Sequence, residues 1–162
     1  MEKPKVYVET TVPSFYHNER SEPEMVARRA WTRAWWARAL HQAELTTSVA
    51  VVDELGRAPP DRAGPRLEQI RSLRLLEILP AVGEIAAVYI ARKLMPADVA
   101  GDALHLAIAS YHRCDFLVTW NCRHLANANK FAHFRRLNAE LGLFVPMLVT
   151  PLELLEDYDD AP

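Results

Sequence analysis

The sequence predicts an α/β protein, a three-layer α/β/α sandwich with a mainly parallel central sheet. Two observations carry that prediction. Short β-prone apolar runs recur along the chain with helical segments between them, an alternation that calls for crossover connections and therefore for parallel strands. The run Phe116-Leu117-Val118-Thr119 is apolar almost throughout, as expected of a strand covered on both faces rather than one.

Taken in order, Val6-Tyr7-Val8 is the first strand, ending in Glu9-Thr10-Thr11, and Pro13 forbids its simple continuation. Pro23 to Gln42 is helical by composition, with Trp31, Ala34, Trp35 and Arg38 along one stripe and Arg28, Arg29 and Arg33 on the other faces. Packed tryptophans and solvated arginines are the plain expectation; a stacking and backbone contact with single-stranded RNA is the alternative. Glu44-Leu45-Thr46-Thr47 reads as the second strand, and Ser48 as the cap of a helix through Val49, Val51, Val52 and Leu55 that stops at Gly56. Pro59, Pro60, Gly64 and Pro65 break the chain before a basic helix with Arg66, Arg71 and Arg74. Leu75 to Leu79 fits a third strand closed by Pro80, and Val82 to Leu94 a helix.

Pro96 opens the next helix, which carries Asp98, Asp102 and His105 on one face. After a turn at Cys114 and Asp115, the strand 116–119 delivers Thr119 and Asn121 to the carboxyl edge of the sheet, where open α/β sheets bind ligands. Lys130 to Leu141 is a helix ended by Gly142, and Phe144 to Val149 is a last strand that Pro146 places at an edge. Residues 1–150 form one domain, and 151–162 an acidic, solvated tail.

Composition narrows the function classes. With 162 residues, half of them hydrophobic, the chain can bury one core but not two. A net charge of −2 excludes a strongly basic nucleic-acid binder, so any such partner must be held by a local patch. Cys114 and Cys122 form no CxxC pair, which argues against a disulfide framework or zinc knuckle and for a reducing cytoplasm. No signal peptide and no membrane-spanning run is expected. The glycine-rich turns of dinucleotide and P-loop sites are missing, and neither Ser48 nor Ser110 sits in a nucleophile elbow.

Glu9, Glu54 and Asp102 stand at element ends or on a mostly apolar helix, on three separate elements whose ends a parallel sheet gathers at one edge. Clustered carboxylates repel and raise one another's pKa unless a divalent cation is present, and Mg²⁺ takes oxygen ligands. Such a cation would make phosphodiester hydrolysis the implied reaction. Taken singly, Glu54 reads equally well as a helix-end charge, Asp98 as a partner of the helix dipole, and His105 and His124 as satisfied structural histidines rather than ligands.

Val6 to Ser14, Ser48 to Glu54, Asp102-Ala103-Leu104-His105-Leu106-Ala107 and Leu117-Val118-Thr119-Trp120-Asn121 together resemble the PIN domain, and within it a bacterial branch of the VapC-like toxins of type II toxin–antitoxin systems. The resemblance covers nearly the whole chain. It implies an α/β/α sandwich with Mg²⁺- or Mn²⁺-dependent ribonuclease activity, an antitoxin partner and a homodimer. By position it makes Glu9, Glu54 and Asp102 the metal-binding acids, puts Asn121 where many members have a fourth acid, and makes Thr119 a neighbouring hydroxyl that orients a ligand or water. Thr10, Asp98, His105 and His124 are supporting candidates. Two departures stand out: Glu9 replaces the usual aspartate, and Asn121 carries no charge. Glu9 reaches one methylene further than aspartate and Asn121 is at best a neutral ligand, so together they leave less to hold a second cation, and an inactive RNA- or protein-binding module is the alternative.

Overall fold

In the computed structural model, which describes residues 2–96 and 100–159, five strands form one parallel sheet in the order β3-β2-β1-β4-β5. They are β1 (Lys5–Val8), β2 (Glu44–Thr47), β3 (Arg74–Leu75), β4 (Phe116–Val118) and β5 (Met147–Val149). Val6, Tyr7 and Val8 are buried in succession, as are Leu117 and Val118, so side chains on both faces are covered and helices lie on either side. This is the expected three-layer α/β/α sandwich. Tyr7 sits opposite Thr46 of β2 on one side and Leu117 of β4 on the other. From β1 the chain winds outward through β2 to β3, then returns to add β4 and β5 on the far side. The order therefore reverses between β1 and β4, and a crevice opens beyond the carboxyl ends of those strands.

The described residues include eight helices: α1 (Thr11–Tyr16), α2 (Pro23–Gln42), α3 (Val49–Gly56), α4 (Pro60–Ile70), α5 (Pro80–Ala91), α6 (Ala100–Tyr111), α7 (Ala128–Leu141) and α8 (Pro151–Asp159). α2 has the expected bounds but a different buried stripe, Thr32, Trp35, Trp36 and Ala39. The Trp120 indole donates to Thr32 Oγ1 at 2.7 Å, which turns that face inward. Trp31 is left partly exposed, stacked on the Trp120 ring with centroids 6.2 Å apart.

The proline cluster does not break the chain where expected. α4 begins at Pro60 and runs through Pro65. Proline suits a first helical position, and part of the crowding between an internal proline and the residue before it comes from that residue's Cβ, which Gly64 lacks. The third strand is shorter than expected: only Arg74–Leu75 pair in the sheet, and the Leu76 amide bonds Thr47 O at 2.8 Å before the chain leaves for Pro80, the first residue of α5. β5 is likewise reduced to Met147–Val149, at the edge that Pro146 indicates. α6 is described from Ala100; Asp98 lies outside the described residues. Asn127 caps α7 by accepting from the Asn129 amide, and Gly142 ends it in the left-handed region at φ 68°.

The segment expected to be a solvated tail starts as part of the folded body. Thr150 and Glu153 form a capping box: Glu153 Oε1 accepts from the Thr150 amide at 3.1 Å, and the Glu153 amide donates to Thr150 Oγ1 at 3.3 Å. Pro151 takes the first helical position, and Leu154 and Leu155 are buried in the core. No helix among the described residues is long and apolar enough to cross a membrane.

Candidate functional site

β1 ends at Val8, and the next residue, Glu9, stands in the crevice between β1 and β4 with its amide bonded to Val118 O at 3.2 Å. Glu9 is 3% exposed. Burial pushes its pKa up, against the pull of the His105 charge and the hydroxyls that bond it. Those bonds all fall on Oε2, from the Thr11 amide at 3.0 Å, the Thr11 hydroxyl, and the Thr119 hydroxyl at 2.7 Å. Oε1 receives none among the described residues.

Glu54 reaches the same crevice from α3. Thr10 donates its hydroxyl to Oε2, and His105 Nε2 meets Oε1 at 2.8 Å. Burial alone would raise the Glu54 pKa, but the bond and charge of His105 outweigh it and the pKa falls. The helix that delivers Glu54 begins at Ser48, whose backbone is in cap geometry while its side chain makes no cap bond. The hydroxyl faces Tyr7 Oη at 2.8 Å instead, because that buried phenol needs a partner.

His105, on α6, is 1% exposed and satisfied at both nitrogens: Nε2 by Glu54, Nδ1 by Tyr7 Oη at 2.7 Å. Burial disfavours its cation, yet the Glu54 bond and the charges of Glu9, Glu54 and Asp102 together raise its pKa. The imidazole is therefore a positioning group, holding Glu54 to the core through the Tyr7–Ser48 pair. One turn earlier Asp102 is half-buried; burial raises its pKa, and the Asn121 amide, 3.0 Å from Oδ2, lowers it. Asn121 Oδ1 accepts from the His124 amide at 3.0 Å, so its Nδ2 must be the atom turned to Asp102. Asn121 thus bridges Asp102 to the turn after β4, with both ends of its side chain engaged.

Of the expected residues, the structure gathers Glu9, Glu54 and His105 most tightly, with one ligand-type atom of each within 4.8 Å of the others. Asp102 stands outside that group, although its charge is felt by His105. His124 stays at the margin, its Nδ1 3.3 Å from Lys130 Nζ. Three further contributors are not singled out by residue type. Thr11 supplies two of the bonds to Glu9 and accepts from the Trp120 amide at 2.7 Å. Tyr7 anchors His105. Gly101 leaves room for Glu54: a Cβ there would lie 3.2 Å from Glu54 Oε1. Thr11 and Tyr7 fall inside the first-strand motif, but nothing in the sequence marks Gly101.

The donor set fits a hard divalent cation. Within the group the oxygens come from Glu9 and Glu54, with Glu9 Oε1 free of hydrogen bonds among the described residues, and Asp102 Oδ1, likewise free, lies outside the group. Both nitrogens of the only imidazole in the group are already engaged, which disfavours a nitrogen-ligated zinc site. Compared with models of known families and with curated proteins, the chain finds no match.

Proposed function

We propose that this protein is a Mg²⁺- or Mn²⁺-dependent ribonuclease that hydrolyses phosphodiester bonds. The observation that carries the reading is the gathering of Glu9 and Glu54 with His105 at the sheet's switch point, with Oε1 of Glu9 unengaged among the described residues and Asp102 outside that group but near enough for its charge to be felt by His105. A divalent cation bound there would supply Lewis-acid stabilisation of charge on phosphoryl oxygens and a more acidic water. The chain's own residues fix the ligands. Thr11 and Thr119 hold one oxygen of Glu9 so that the other faces away from them, Thr10 and His105 set both oxygens of Glu54, and Asn121 steadies Asp102. Supporting groups of this kind matter about 10–100-fold to metal affinity or activity.

The choice of RNA, the toxin role, an antitoxin partner and a homodimer are supported by the resemblance to the PIN domain. A second reading, a module whose site does not cut, is favoured by Asn121, which offers neither a charge nor an unengaged oxygen. Calorimetry with Mn²⁺ beside an RNA-cleavage assay separates the two. Binding at micromolar to millimolar Mn²⁺ that Glu54→Gln weakens, with metal-dependent cleavage, supports the enzyme. RNA binding without Mn²⁺ binding or cleavage supports the idle module.

A further inference from the structure

A second concave feature adjoins the acidic crevice: a cleft of about 670 Å³ between the carboxyl half of α1, the loop at 17–20 and α4. Its charged lining is Arg20, Arg62 and Arg66 with Glu19 and Asp61. Among the described residues none of these three arginines reaches a carboxylate or carbonyl oxygen; the one contact of the Arg20 guanidinium is Met25 sulfur at 3.9 Å. Arg66 Nε is buried without a hydrogen-bond partner, as are His17 Nε2 and both side-chain amide atoms of Gln69 on the same helix. A buried donor of this kind is rare in a folded chain and asks for an acceptor. The crowding is electrostatic too: the Arg62 charge adds to burial in lowering the pKa of Arg66.

The walls are built rather than loose. Arg29 donates to Asn18 O at 2.7 Å, Arg33 to Tyr16 O at 2.9 Å, and the Arg20 amide to Asn18 Oδ1 at 2.7 Å. These bonds fix the 16–20 segment against α2 and leave Arg20, Arg62 and Arg66 around the opening. The cleft and the crevice share α1, which is six residues, about 9 Å, long. Thr10, just before it, bonds Glu54; Ser14, within it, lines the cleft and donates to Thr10 O at 2.9 Å. A strand with one phosphate at the acids can therefore run on past α1 toward the arginines. A chain of net charge −2 needs such a local patch to hold a polyanion.

We infer that the cleft between α1, the 17–20 loop and α4 is a phosphate subsite in which Arg20, Arg62 and Arg66 seat a backbone phosphate of the RNA strand whose scissile bond lies at the acidic crevice, an inference that rests on the nuclease reading. Guanidinium groups suit this task because they meet phosphate oxygens in a planar fork. Removing two of them lowers RNA affinity and reduces its salt dependence, whereas Mn²⁺ affinity is untouched because neither arginine touches the acids.

The test measures anisotropy of a labelled RNA oligonucleotide in EDTA over a range of KCl, with the full chain and Arg62→Gln/Arg66→Gln. Affinity should fall at least about tenfold, as removal of a charged hydrogen bond implies. The slope of log K against log salt should become shallower by about 0.7 for each phosphate that is no longer neutralised. Arg20→Gln, an exposed change that leaves the fold intact, should act in the same direction. Unchanged affinity and slope overturn the subsite, as does inorganic phosphate binding in the cleft with RNA binding unaltered in the variants. If wild type binds RNA through the cleft but does not cleave it with Mn²⁺, the nuclease reading falls and the phosphate subsite stands. Cleavage by wild type with variants that bind and cleave equally well leaves the nuclease reading and removes the subsite.

Discussion

His105 Nε2 lies 2.8 Å from Glu54 Oε1, and the opposite ring nitrogen lies 2.7 Å from Tyr7 Oη. The imidazole thus ties a candidate ligand on α3 to the central strand. His105→Ala leaves the Glu54 carboxylate and the buried phenol short of a partner and opens a void. We expect a loss of about 3 kcal/mol in urea unfolding and weaker Mn²⁺ binding. Full stability in the variant would show that the pair is incidental.

Gly101 separates metal binding from stability. Alanine is the better helix former by up to about 1 kcal/mol, yet its Cβ would sit 3.2 Å from Glu54 Oε1 and displace the carboxylate. Gly101→Ala should therefore melt close to wild type, the gain in helix propensity offset by strain on the Glu54–His105 bond, while binding Mn²⁺ several-fold more weakly. Equal Mn²⁺ affinity would mean that the crevice tolerates movement of Glu54.

The cysteines should differ in reactivity. Both are free; burial raises both thiols, but Cys122 is exposed to reagent whereas Cys114 is buried and pushed up to about 11. At about pH 8, near an ordinary thiol pKa, iodoacetamide should alkylate Cys122 in the native protein and Cys114 only after unfolding. Mass spectrometry of the labelled peptides reads this directly, and native labelling of Cys114 would contradict the packing of the turn before β4.

The end of the chain should contribute to stability. Thr150→Ala removes the capping hydroxyl of α8 and should cost about 1 kcal/mol. Leu154→Ala removes a buried side chain and should cost about 2 kcal/mol or more. Variants as stable as wild type would return this segment to the role of a solvated tail.

Much of the fold is legible because burial on both faces writes itself as continuous apolar runs: β1 and β4, at the middle of the sheet, are read almost to the residue. The edges are less so. β3 has a single neighbour and ends after two residues, since Leu76 to Leu79 have no further strand to pair with. Pro65 reads as a breaker because its tolerance depends on the glycine before it. At the site, the acids at element ends are visible as residue types, but their partners are not. That Asn121 turns its amide to Asp102, or that Ser48 serves Tyr7 rather than its own helix, depends on contacts between residues far apart in sequence.

Carboxylates gathered between β1 and β4 are proposed to hold a cation for RNA hydrolysis. The most direct measurement is the rate at which purified protein cleaves single-stranded RNA with Mn²⁺, compared with Asp102→Asn and with EDTA. The expected result is metal-dependent cleavage that EDTA abolishes and that Asp102→Asn reduces by more than about a hundredfold, beyond what a merely supporting group costs. Cleavage that persists in EDTA, or an equal rate in Asp102→Asn, would contradict it.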